Sequence, residues 1–311
     1  MKVIVQDLKS HLNEDFHALK YGYFLLFITA CIYYNYQVDF ETEVLNRHYG
    51  SPSCYLYYFA FYSFSYFAIA IPILFFSIKR PILCNASFWV KSILLLGIIT
   101  FDGAFNFHRD IVINLNFDRL EKHFLIVIFN NCHSIISVII PLLIIKVIFD
   151  WKMKSFYGLT FKKFDHKPYL TMLLIMLPLI IWASFQKDFL QTYPTYQPWR
   201  STEVFGLSHH LMGLIYELVY LADFVSVELI FRGALIIGMI KLIGKDAILP
   251  MVATYAFLHF GKPMGETIGS IFGGYILGVI ALRTGSILGG CIIHIGVAFL
   301  MDFLAYIQHS S

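Results

Sequence analysis

Charge is scarce in this chain of 311 residues. Asp, Glu, Lys and Arg make up only 14% of it, against 58% hydrophobic and 18% aromatic residues, whereas a soluble domain carries about 25% charged residues. That shortage excludes a soluble globular enzyme, a disordered tail and a coiled coil. Cysteine is sparse too. Cys31, Cys54, Cys84, Cys132 and Cys291 are scattered with no Cys-x-x-Cys pair, which argues against a disulfide framework or a thiolate zinc site. A net charge of +3 spread along the chain leaves no nucleic-acid footprint. There is no obvious long repeat and no low-complexity linker.

What is present is apolar sequence in long runs. A helix needs roughly 20 apolar residues to cross about 30 Å of hydrocarbon. Nine stretches approach that length: 21–37, 55–78, 87–107, 124–149, 169–185, 210–240, 246–260, 264–282 and 286–308. The expected fold is therefore all-α, a polytopic membrane bundle of eight or nine transmembrane helices. The third stretch carries Lys91 and Asp102, and the seventh is short and runs into Gly261-Lys262-Pro263, where a turn or re-entrant segment is plausible. Residues 1–20 carry Asp7, Lys9, Glu14 and Asp15 and lack the apolar core of a signal peptide. Val5, Leu8, Leu12, Phe16 and Leu19 recur at spacings of three and four, one face of an amphipathic helix expected on the membrane surface. Residues 21–200 read as a transmembrane scaffold, and 205–308 as the segment that carries chemistry. With nine spans and the N-terminus inside, fourteen Lys and Arg fall on inner segments and seven on outer ones. Lys152, Lys154, Lys162, Lys163 and Lys167 dominate that asymmetry, which favours a cytoplasmic N-terminus. Tyr193, Pro194, Tyr196, Pro198 and Trp199 suit the headgroup layer, as an aromatic belt or as a cover over an opening.

An ionisable residue deep in a span is costly and so marks a functional candidate. Glu228 and Arg232 in the sixth stretch are four apart and share a helix face; a neutralising ion pair is the plain alternative. His259 ends the seventh stretch and His294 lies within the ninth. Between them, Gly265, Gly269 and Gly273 repeat every four residues, as do Gly274 and Gly278, a spacing that lets helices approach closely. One Glu with two His can bind a divalent metal, or can hold and deprotonate a water. Asn130, Asn131 and His133 in the fourth stretch are polar and deep, suited to cross-helix bonding or to lining a cavity.

The order of these residues resembles the CAAX protease and bacteriocin-processing (Abi) family of intramembrane endopeptidases. Its pattern is Glu-Glu-x-x-x-Arg on one helix, Phe-x-x-x-His on the next, and a later His-x-x-x-Asn. Here the motifs read Val227-Glu228-Leu229-Ile230-Phe231-Arg232, Tyr255-Ala256-Phe257-Leu258-His259 and His294-Ile295-Gly296-Val297-Ala298, and the likeness covers about residues 210–303. Glu228, Arg232, His259 and His294 carry over. Val227, Tyr255 and Ala298 depart, the first at the position usually given the water-activating role. Helix spacing suggests a repair: Asp223 lies one turn before Val227, and Asp302 one turn after Ala298, about 6 Å each at 1.5 Å per residue.

The resemblance implies hydrolysis of a peptide bond in a membrane-associated protein or peptide. Glu228 is the first choice as base and Asp223 the second, with Arg232 orienting Glu228. His259 and His294 would bind the water, the oxyanion or a metal. Zn²⁺ or another divalent ion on Glu228, His259 and His294 is one expectation, and a metal-free glutamate mechanism the other. Expected partners are membrane lipid and a membrane-associated peptide substrate, with no nucleic acid, and the expected location is a prokaryotic inner membrane. The competing reading is a catalytically impaired relative that binds a peptide or acts as a scaffold. A small-solute transporter is a third reading, weakened by the lack of a paired repeat and of twin broken helices.

Overall fold

The computed structural model describes residues 2–162, 164–200 and 203–310; Lys163 lies outside them. All nine apolar stretches are helical, and the chain is an all-α polytopic bundle. Helix α1 (Lys2–Asp15) meets α2 (Ala18–Val38) at a bend of 106°. Then follow α3 (Ser53–Phe75), α4 (Ala86–Ala104), the short α5 (Phe107–Ile113), α6 (Arg119–Cys132), a π turn at Ile135–Ile139 and α7 (Ile140–Phe149). After α8 (Lys167–Ala183) and α9 (Lys187–Thr192), a two-residue hairpin, β1 (Glu203–Val204) with β2 (Leu207–Ser208), leads into α10 (His209–Glu228). That helix continues as a π-helix over Leu229–Gly238, then α11 (Ile240–Ile243), α12 (Ile248–Leu258), α13 (Met264–Thr284) and α14 (Leu288–Ser310).

Local chemistry fixes several of these ends. Asp118 and Glu121 form a reciprocal capping box at the start of α6, which satisfies amide donors that a helix end leaves free. Ser208 caps α10, and Gly285 ends α13 with φ +65°, the left-handed conformation that glycine adopts without cost.

Among the described residues, five helical segments are long and apolar enough to cross a membrane, six if the bent α1–α2 pair is one span. The difference from eight or nine has a physical source. Helix α8 has 17 residues, and α12 has 11. Helix α12 is short because it is not lipid-facing: each of its residues from Ile248 to Phe257 is buried. It forms the axis of the bundle, packed between α3, α13 and the π-helix.

The glycine rows also divide. A Cβ at Gly265, Gly269 or Gly273 would meet nothing within 4 Å, so that row faces open space. A Cβ at Gly274 would come within 3.2 Å of Tyr255, and one at Gly278 within 3.0 Å of Ile236 and Met251. Only the second row packs α13 against its neighbours.

Candidate functional site

The C-terminal end of α10 brings Glu228 to the centre of the bundle, where it is 0% exposed. One turn on, in the π-helix, Arg232 is 1% exposed. Arg232 Nη1 lies 3.0 Å from Glu228 Oε1. Its guanidinium carbon sits 4.2 Å from the ring centre of Tyr255 on α12, so the cation is held by the carboxylate and an aromatic face. None of its nitrogens meets hydrogen-bond geometry, so this is an ion pair rather than a bidentate clamp.

His294 on α14 approaches the same carboxylate. Its Nδ1 is 3.1 Å from Glu228 Oε1, and its Nε2 is 3.3 Å from the Tyr255 hydroxyl. The ring of His259, one turn beyond Tyr255, packs edge-on against Tyr255 with centroids 4.6 Å apart, and its Nδ1 bonds the Tyr255 carbonyl at 2.8 Å. The partners set the tautomers. A carboxylate and a carbonyl only accept, so Nδ1 of each histidine donates and each neutral ring keeps its lone pair at Nε2.

Close approach of α14 depends on one glycine. A Cβ at Gly290 would lie 2.1 Å from Glu228 Oε2. Only a residue without a side chain admits the carboxylate there. The π-helix is braced from behind by the 150–160 loop. Tyr157 lies so close that a Cβ on Gly233 would meet its carbonyl oxygen at 2.6 Å, and one on Gly238 its ring at 2.9 Å. The Tyr157 hydroxyl bonds Asp150 at 2.9 Å, and Lys91 bonds both Asp150 and the Gly238 carbonyl at 2.6 Å.

Residues 210–300 match the family model described as type II CAAX prenyl endopeptidase Rce1-like. This segment is similar to the CAAX prenyl endopeptidases that the family model describes. No curated protein and no solved structure matches the chain.

Within residues 210–300 the structure unites Glu228, Arg232, His259 and His294 around Tyr255. Asp223 and Asp302 stand apart from that group and from each other. Helices α10 and α14 pack antiparallel: Glu228 faces Gly290, and Phe224 packs at a tilt of 45° against His294 with centroids 4.3 Å apart. In that register Asp302 lies opposite residue 216, about 10 Å along α10 from Asp223. Asp302 accepts from the Thr195 amide at 3.1 Å and from the Thr195 hydroxyl, and so ties down the aromatic loop. Asp223 faces His133 and Ser134, between the end of α6 and the π turn.

The donor set around Glu228 is occupied by the protein's own contacts. Both ring nitrogens of His294 and Nδ1 of His259 are engaged. Among the described residues, no three His, Cys, Asp or Glu side chains are placed to hold a metal ion. As arranged, Glu228, His259 and His294 do not fit one.

In the sequence Tyr255 is only a departure from the family's Phe, yet it touches Arg232, His259 and His294. Its spacing to His259, one turn on the same helix face, was the available signal. Gly290 and Tyr157 gave none, because each matters only through a contact distant in sequence.

Proposed function

We propose that the chain is a CAAX-protease-like intramembrane endopeptidase in which Glu228 works through His294. The observation that carries this reading is the chain of contacts from Arg232 through Glu228 Oε1 to His294 Nδ1. Glu228 has no exposed surface, while the His294 side chain is 16% exposed. The histidine is therefore the end that can meet a water. In this reading Glu228 orients and charges His294, and Nε2 takes the proton from the attacking water. The Tyr255 hydroxyl turns from Nε2 to the carbonyl oxygen of the scissile bond as that oxygen gains charge. His294 Nε2 then gives that proton to the leaving amine, and the His259 ring, packed edge-on against Tyr255, holds the phenol in place. Arg232, 3.0 Å from Glu228 Oε1, holds the carboxylate in place. All of these steps use side chains of this chain alone.

An apolar cavity of about 660 Å³ between α2, α3 and α12 is lined by Phe27, Phe61, Phe64, Phe257 and Phe260. That size and lining suit an apolar group on the substrate. Glu228, Arg232, Tyr255, His259 and His294 do not line it, so it would hold such a group apart from the reacting bond. A prokaryotic inner membrane is the location we propose, with the five-lysine loop 150–168 and the N-terminus on its cytoplasmic side.

One observation favours a second reading. Val227 stands at the position of the family's first Glu and packs against the hydrophobic core, which suits a relative that binds peptide without cutting it. Incubating the purified full chain with a membrane-tethered peptide, with and without a chelator, and comparing it with Glu228→Gln separates the readings. Cleavage that survives the chelator and is lost in Glu228→Gln supports the mechanism above. Cleavage abolished by the chelator would restore a metal. Binding without cleavage selects the second reading.

A further inference from the structure

Helix α1 presents three different faces. It meets α2 at a bend of 106°, so it lies across the end of the bundle rather than along it. At about 100° per residue, Ile4, Leu8, His11 and Asp15 share one sector about 60° wide. Ile4, His11 and Asp15 are buried, and Leu8 packs against the core. This face rests on α13, where the His11 ring meets Tyr275 edge-on with centroids 6.0 Å apart.

The next sector is apolar and open. Leu12, Val5 and Phe16 fall within about 40° of one another. The Phe16 amide still bonds the Leu12 carbonyl at 2.8 Å, so the helical turn extends to it. These three residues are 38%, 42% and 62% exposed. Leu19 and Leu26, both exposed on α2, carry apolar surface past the bend.

Beyond that stripe comes a basic edge. Lys9, Lys2, Asn13 and Gln6 occupy the following sector, about 60° wide, and each of these side chains donates hydrogen bonds. Lys2, Val5, Gln6, Lys9, Ser10 and Asn13 line an open groove of about 590 Å³, so the edge has room for a ligand. The acids of α1 point elsewhere. Glu14 pairs with Arg283 at 2.8 Å, Asp15 pairs with Lys20 at 2.8 Å, and Asp7 lies toward Tyr169 of α8. Among the described residues, no carboxylate stands at ion-pair distance from Lys2 or Lys9, so the positive charge of this edge is uncompensated.

We propose that α1 lies in the headgroup layer and docks on anionic phospholipid through Lys2 and Lys9, with Val5, Leu12 and Phe16 among the acyl chains. The order of the sectors carries this. A helix lying flat at the interface sinks its apolar face to the boundary of headgroups and chains, and lysines bordering that face lift their charge to the phosphates. An apolar stripe alone would suit a protein partner equally well. Two unpaired lysines along one border, with no acid on it, select a surface of negative charge. The docking is independent of peptide cleavage and of Glu228.

The test is amide exchange in the full chain, held in lipid discs of phosphatidylcholine alone or of phosphatidylcholine with phosphatidylglycerol, all with identical acyl chains. Exchange over residues 2–16 is read by mass spectrometry, with α12 as an internal reference. The anionic discs should slow exchange there by about fivefold for each lysine engaged. Salt at about 1 M, which screens charge beyond about 3 Å, should remove the difference. Lys2→Gln together with Lys9→Gln should abolish it too and leave the rate in phosphatidylcholine unchanged, whereas Leu12→Ser should speed exchange in both discs. Equal exchange in the two discs overturns the proposal, as does a difference that survives the double lysine substitution. Inorganic phosphate that slows exchange to the same extent in phosphatidylcholine discs would overturn the lipid assignment in favour of a free anion. The main comparison uses the unaltered chain, so a variant that fails to fold does not block the result.

Discussion

Oxygen Oε1 of Glu228 carries two partners at once, Arg232 Nη1 at 3.0 Å and His294 Nδ1 at 3.1 Å. Its companion Oε2 faces Gly290. Replacing that glycine by alanine places a Cβ where the carboxylate now sits, 2.1 Å away, and overpacking of this kind costs about 1–3 kcal/mol. Gly290→Ala should therefore lower the thermal midpoint and reduce peptide cleavage at least tenfold, read by calorimetry and by the membrane-peptide assay on the same preparation. Unaltered cleavage in this variant would mean that the position of Glu228 does not matter. The residues of this site were legible in the sequence to an unequal degree. Glu228, Arg232, His259 and His294 stood out because charge and imidazole are rare in apolar runs. Asp223 and Asp302 stood out for the same reason, but their partners, Ser134 and Thr195, lie on elements whose neighbours no spacing rule reveals. Spacing along one helix says which residues share a face, not which helix that face meets.

At the scale of elements, the π-helix Leu229–Gly238 is the unusual piece, and every one of its residues is buried. π-helical turns inside α-helices are rare and often occur at functional sites. Here the turn sets Arg232 against Glu228 and Tyr255 while its far end is held by Lys91 and its flank by Tyr157. The Lys91 and Asp150 side chains are almost wholly buried, and removing one partner of such a pair costs about 3–5 kcal/mol. Lys91→Met should lower the thermal midpoint by several degrees, and adding Asp150→Leu should recover part of the loss, because the second change removes the stranded charge. If the double variant melts below the single one, the pair does not act as this staple. Apolar length located each helix in the sequence, yet gave no sign of the π register. Nor did it show that α12 is enclosed on all sides, because a buried helix and a lipid-facing helix have the same composition. Enclosure also places His259 correctly: α12 is short, so its end lies beside Glu228 and His294 rather than beyond them.

The molecule as a whole is tied at one end by a charge network outside the spans. Lys20 bonds Asp15 at 2.8 Å and Asp246 at 2.9 Å, and Lys79 bonds Asp246 at 2.8 Å, which joins α1, α2 and the turns after α3 and α11. Burial opposes the charged form of Asp246, but the hydrogen bonds and charges of Lys79 and Lys20 outweigh it and hold its carboxyl below the ordinary value. A carboxyl lowered in the folded state contributes stability that is fully present above its unfolded value, about 3.9, and is lost as pH falls through the folded value. Thermal midpoints of the intact chain and of Asp246→Asn should therefore differ at pH 6 and converge as pH falls below about 4; a gap that stays constant would contradict the role of Asp246. The network holds the bundle that presents residues 210–300, and the proposed function turns on Glu228 acting through His294. The most direct test is the rate of membrane-peptide cleavage by Glu228→Gln beside the unaltered chain, with thermal midpoints recorded for both. The account predicts a fall in kcat of about 10²–10³ with KM nearly unchanged and the fold retained. Cleavage at the original rate by a folded Glu228→Gln protein would contradict it.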